Sequence, residues 1–113
     1  MNIVLGYSDE FGEDWPLTAR EISILDTNHG SFVDLLELSD LLPRLSSLKI
    51  INKRQMDSIL SKSTLHEKNK VLLGILRRRS LRDYGQTIKC LRHSKQNEIA
   101  EILEYGGGKF VYS

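Results

Sequence analysis

The sequence predicts an all-α chain: an antiparallel bundle of six helices whose first helix is kinked or split. Three observations lead there. From Thr18 to Tyr105 the apolar residues recur at intervals of three and four, the period of one helical stripe. Ser, Thr or Asn opens successive stretches, with Glu, Gln or Asp three residues on, the signature of capped helix N-termini. No alternating apolar and polar run of strand length interrupts the series, and the short linkers leave an antiparallel bundle as the consistent architecture.

Residues 1–17 contain two glycines, a proline and four acids with no helical period. They read as an irregular acidic arm, with Trp15 expected to dock it on the bundle because tryptophan buries a large area. Thr18-Ala-Arg-Glu21 is a capping box that opens helix one, whose stripe is Ile22, Leu25, His29, Phe32 and Leu36. Gly30 in its middle predicts a kink or break between Asn28 and Ser31, and His29 is read as a buried structural histidine. Leu38, Leu41, Leu42, Leu45 and Leu48 mark a second helix starting between Ser39 and Leu42, with Pro43 in its first turn, where a missing N–H costs least. Asn52 and Gln55 cap a third helix containing Met56, Ile59 and Leu60.

Thr64-Leu-His-Glu67 opens the fourth helix, with Leu65, Val71, Leu72, Ile75 and Leu76 inward and Lys68, Lys70 and Arg77 outward. It closes in Arg77-Arg78-Arg79, cations that suit the negative end of a helix dipole. Ser80 caps the fifth, with Leu81, Tyr84, Ile88 and Leu91 on its stripe and Gly85 expected to let a neighbour approach. Ser94 or Asn97 caps the last, which carries Ile99, Ala100, Ile102 and Leu103 and stops at the glycines 106–108. The bundle is thus expected over 18–105, with a tail over 106–113.

At 113 residues, 40% hydrophobic and 27% charged, the chain is one domain able to bury a core without metal or disulfide staples. No apolar run approaches the ~20 residues of a membrane span. A lone Cys90 and the lack of a basic, apolar leader make a reducing, cytoplasmic setting the expectation. The net charge of +1 hides a strong asymmetry: residues 1–43 hold one base against nine acids, whereas residues 44–95 hold fourteen bases against three. Such a distribution favours association between unlike faces and sets its register.

Catalytic signatures are lacking, and no enzyme, cofactor or metal is expected. Cys90 neighbours Leu91 on the inner side of an amphipathic helix, so it reads as an inert buried thiol. His29, His66 and His93 are too scattered for a zinc site. Gly106-Gly-Gly-Lys109 lacks the hydroxyl residue and the following helix of a phosphate loop. Arg78, Arg82, Lys89 and Arg92 could instead form a phosphate-holding stripe, which makes a small nucleic-acid-binding protein using the Arg78–Lys95 surface the alternative.

The segment from Val71 to Leu103 resembles the caspase recruitment domain of the death-fold superfamily. Leu72, Leu73, Ile75, Leu76, Arg78, Tyr84, Ile88, Cys90, Leu91, Ile99, Ala100 and Leu103 occupy the places of its leucine-rich fourth helix, basic close, aromatic opening of the fifth helix and short last helix. Upstream, Leu41-Leu-Pro-Arg-Leu45 and Ile50-Ile-Asn-Lys-Arg-Gln-Met-Asp-Ser-Ile59 match its second and third helices, and the interrupted first helix matches too. The likeness spans about 19–105; Ser80 stands where the family commonly has glycine, Gly85 where it has phenylalanine or a polar residue, and the arm has no counterpart. The resemblance implies a six-helix death fold and a non-catalytic module in apoptotic or innate-immune signalling. Its expected partner is another such domain, in a caspase, kinase or scaffold, or a second copy of itself. Pairing is expected between an acidic patch of Glu21, Asp34, Glu37 and Asp40 and a basic patch of Arg44, Lys53, Arg54, Arg77, Arg78 and Arg82.

Overall fold

A computed structural model describes residues 15–106, so the arm before Trp15 and the tail after Gly106 lie outside the described residues. Seven helical segments follow in order: α1 Ala19–Thr27, α2 His29–Leu35, α3 Leu41–Ser47, α4 Lys53–Leu60, α5 Leu65–Leu76, α6 Leu81–His93 and α7 Asn97–Tyr105. The class is all-α, and the count exceeds six because the first helix is split into α1 and α2. Asn28 makes the split. Its side-chain N–H donates to the Ile24 carbonyl at 2.9 Å while its backbone leaves helical geometry, a local polar contact that competes with helix continuation. Gly30, expected to cause the break, sits one residue inside α2 in open space.

Side chains close most of the helix starts as the sequence anticipates. Thr18 and Asn52 form complete capping boxes with Glu21 and Gln55, and the hydroxyls of Thr64 and Ser80 accept from the amides of Glu67 and Asp83 at 3.1 Å. The last helix departs from expectation: Gln96 is its N-cap and makes no capping bond. Ser94 instead gives its hydroxyl to the Cys90 and Leu91 carbonyls at the end of α6. Gly106 ends α7 with φ of 80°, a left-handed turn that glycine adopts without strain.

Helix α1 packs on α7 and α2, α2 on α5, α5 on α4, and α6 on both α3 and α7, so the first and last helices meet and close the bundle. Phe32, Leu41, Leu45, Ile50, Ile51, Ile59, Leu72 and Leu91 are all but sealed from solvent at its centre. Burying each such side chain is worth roughly 1.5–3 kcal/mol. Several inward expectations fail at the helix ends. His29 is exposed, and Leu48, Leu60 and Leu65 lie at the surface, because each sits in a first or last turn where the stripe runs off the edge of its neighbour. Gly85 has no atom within 4 Å of where a Cβ would sit, so no close approach explains it.

The arm's docking also differs. Trp15 is 56% exposed, whereas Leu17 is buried. The Trp15 carbonyl accepts from the Leu81 amide at 2.9 Å, and Pro16 forms an antiparallel bridge with Ser80. Backbone pairing and one leucine hold this stretch, not the indole.

Two polar residues are sealed in the core: Thr87, whose hydroxyl donates to the Asp83 carbonyl at 2.8 Å, and Asn69. Asn69 of α5 is wholly buried and donates to the Val33 and Leu36 carbonyls at 2.8 and 3.1 Å. It thereby satisfies the end of α2, where carbonyls have no partner within the helix.

Candidate interaction surface

The four expected acidic residues do not make one patch. Glu21 is turned into the Thr18 cap, accepting from its backbone amide at 2.8 Å and from its hydroxyl. Burial pushes its carboxyl up, but the hydrogen bonds from Thr18 and from its own amide, with the Arg20 charge, outweigh that and hold it below the usual range. Asp34, Glu37 and Asp40 do follow one another along the edge from α2 to the start of α3. Asp34 lies 3.8 Å from the His66 ring, and Asp40 is paired with Arg44 at 3.1 Å. Glu37 has its backbone clamped by the Gln96 side chain, which accepts from its amide and donates to its carbonyl, both at 2.9 Å. It borders a cleft of about 450 Å³ with Leu42, Pro43, Met56, Leu60 and Lys68.

The six expected basic residues separate as well. Arg44 is committed to Asp40, and Lys53 reaches Asp57 on its own helix at 3.5 Å. Arg77 makes a bidentate pair with Asp26 of α1 at 3.0 and 2.9 Å, and those hydrogen bonds hold the Asp26 carboxyl below its ordinary value. Arg54 and Arg78 are brought together with a residue the sequence reading left as merely outward, Lys70. These three line a groove of about 410 Å³ between α4 and α5, floored by Val71, Gly74 and Ile75. Among the described residues, none of these three cations makes an ion pair.

The spacing explains the groove. Lys70, Gly74 and Arg78 stand four residues apart, so they share one face of α5 and its exit. Gly74 leaves room for the Arg78 guanidinium, whose Nη1 would be 4.0 Å from a Cβ there. Arg78 also borders a second groove of about 570 Å³ with Lys49, Arg79, Ser80, Arg82 and Asp83. Arg79 is paired with Asp83 at 2.8 Å. Lys49 takes the left-handed conformation with φ of 63° where the chain turns out of α3, and a sequence gives little sign of that. The basic surface therefore runs from Arg54 and Lys70 through Arg78 to Lys49 and Arg82.

Chemistry elsewhere is quiet. Cys90 is buried, and burial pushes its thiol up despite the Arg44 charge, which leaves little reactive thiolate. The stripe imagined for nucleic acid is interrupted, because Arg92 pairs with Glu104 of α7 and Asp83 stands between the bases. Among the described residues no group of three His, Cys, Asp or Glu could hold a metal ion, and no helix is long and apolar enough to cross a membrane.

A family model described as caspase recruitment domain matches residues 22–106. Among curated proteins none matches the chain, and among solved structures none does.

Proposed function

This chain belongs to the caspase recruitment domain family, non-catalytic domains of homotypic protein–protein interaction, and on that premise we propose a specific mode of docking. The helical body, residues 18–105, receives the acidic edge of another caspase recruitment domain in the groove of Arg54, Lys70 and Arg78. The partner is a caspase, kinase or scaffold of apoptotic or innate-immune signalling, or a second copy of this chain, met in the cytoplasm. This chain's own edge of Asp34 and Glu37, beside the Asp40–Arg44 pair, is the kind of surface that fits. Arg82 lies in the adjoining groove with Lys49, Arg44, Lys53 and Arg77 are occupied within the chain, and Glu21 serves its helix cap.

One observation carries the reading: three cations, from α4, α5 and the exit of α5, converge on one groove and pair with no acid among the described residues. Ionic groups left in this way attract a complementary face and orient it. An exposed pair contributes about 0–1 kcal/mol, so several must form together, and the contact weakens with salt. A contact between unlike faces does not close on itself, so self-association would build chains.

Light scattering of the purified protein across concentration and salt, beside the double variant Arg54→Glu with Arg78→Glu, tests this. The native chain is expected to gain mass at low salt, and the variant to stay monomeric with an unchanged helical spectrum. Equal association of the two would remove the groove as the docking face.

A further inference from the structure

Three arginines run straight into a serine. Arg77, Arg78 and Arg79 precede Ser80, Leu81 follows it, and no other serine or threonine of the chain comes after consecutive arginines. The run occupies the turn between α5, which ends at Leu76, and α6, which opens at Leu81. Arg77 and Arg78 are exposed there, and Ser80 is half-buried with an extended backbone. Ser80 borders the second basic groove with Lys49, Arg78, Arg79 and Arg82, four cations against the single carboxylate of Asp83. Arg79 already holds that carboxylate at 2.8 Å, so the rest of the positive charge surrounds a hydroxyl.

We propose that Ser80 is the target of a serine kinase that reads arginines ahead of its substrate hydroxyl, and that the phosphate, held in the Lys49–Arg78–Arg82 groove, turns docking off. Kinases select substrates by charge patterns of this kind. In the transfer, Ser80 Oγ attacks the γ-phosphorus of ATP and the bond to the β,γ-bridging oxygen breaks. ADP leaves, and the hydroxyl proton passes to the kinase's catalytic aspartate. Access requires Arg77 to leave Asp26 and the Pro16 bridge to part from Ser80, and an exposed ion pair and a single bridge oppose such local opening only weakly. The fold has a place for the product. Ser80 Oγ accepts from the Asp83 amide at 3.1 Å, a bond that a phosphate oxygen can take over, so α6 keeps its cap. A phosphate brings about −1.5 to −2 charges, enough to cancel most of the groove's excess and to engage Arg78, the cation shared with Arg54 and Lys70. This regulation rests on the Arg54–Lys70–Arg78 groove being the docking face.

The full chain incubated with magnesium ATP and purified cyclic-AMP-dependent kinase, an arginine-directed enzyme, should gain one phosphoryl group by intact mass, and peptide mapping should place it on Ser80. A chain left unmodified at Ser80 overturns the proposal. Phosphorus NMR across pH then reads the phosphate's surroundings: its second ionisation should fall below the value of about 6 for a free phosphate ester, and Lys49→Gln should return it part of the way. Titration like a free ester overturns the seating in the groove. In light scattering at low salt, the phosphorylated chain should self-associate about three- to tenfold more weakly than the unmodified one. Equal association of the two, in a chain that Arg54→Glu with Arg78→Glu does dissociate, overturns the regulation and leaves the docking face standing. Association indifferent to both arginines removes the docking face and the regulation with it, whereas the mass and the phosphate's ionisation still decide the modification and its seat.

Discussion

Helix α5 and its exit present two stripes offset by a single residue, and their polar members behave in opposite ways. Asn69 and Arg77 lie on one, and both are spent inside the chain, on the end of α2 and on Asp26. Lys70, Gly74 and Arg78 lie on the other, which faces the groove and meets no acid among the described residues. One residue is a rotation of about 100° on a helix. That rotation separates a polar group that holds the fold from one that is available to a partner, although both stripes end in arginine.

The largest effect that would sharpen this contrast is on the inner stripe. Asn69→Ala leaves two buried carbonyls without donors and a small void, and should cost about 2–3 kcal/mol in urea unfolding. Lys70→Ala, one residue along, should leave stability within about 0.5 kcal/mol. Association should divide the other way. Arg78→Glu is expected to abolish concentration-dependent light scattering, whereas Arg77→Glu should retain it, and equal loss in both would erase the distinction between the stripes.

A smaller effect comes from pH. Arg77 holds the Asp26 carboxyl below its ordinary value, so the stability this pair supplies is complete above the unfolded-chain value of about 4 and is lost as pH falls through the lowered folded value. Glu21, held low by its cap, adds in the same direction. Urea titrations between about pH 2 and 6 should show Arg77→Gln losing less stability on acidification than the native chain. Smallest of all, Gly74→Ala should add about 0.5–1 kcal/mol, because glycine in a helix interior is costly and the added methyl has room. A loss instead would mean that something presses on the groove floor.

The core was largely legible, because a three-four apolar period reports the buried face of each helix. The Thr18 and Asn52 caps were legible for the same local reason: partners three residues apart are fixed by the helix itself. Leu48, Leu60 and Leu65 defeated the reading since periodicity does not say where a neighbouring helix ends. Asn69 and Gln96 were invisible, as each finds its partner 33–36 or 59 residues away. The charged surface was read by sign alone, which grouped Arg77 with Arg78 and missed Lys70 and Lys49. Whether a cation is neutralised at home depends on tertiary neighbours that no spacing reveals.

The clamp of Gln96 on the Glu37 backbone also orders events in time. Glu37 belongs to the acidic edge, yet its amide and carbonyl are fixed by a residue at the threshold of α7. Chains emerge from synthesis N-terminus first, and contacts between distant residues form late because a long loop must close. The edge therefore acquires its final shape only once the start of the last helix has been made and docked. Hydrogen exchange at the Glu37 amide reports that moment: it should be protected in the whole chain and unprotected in Gln96→Ala.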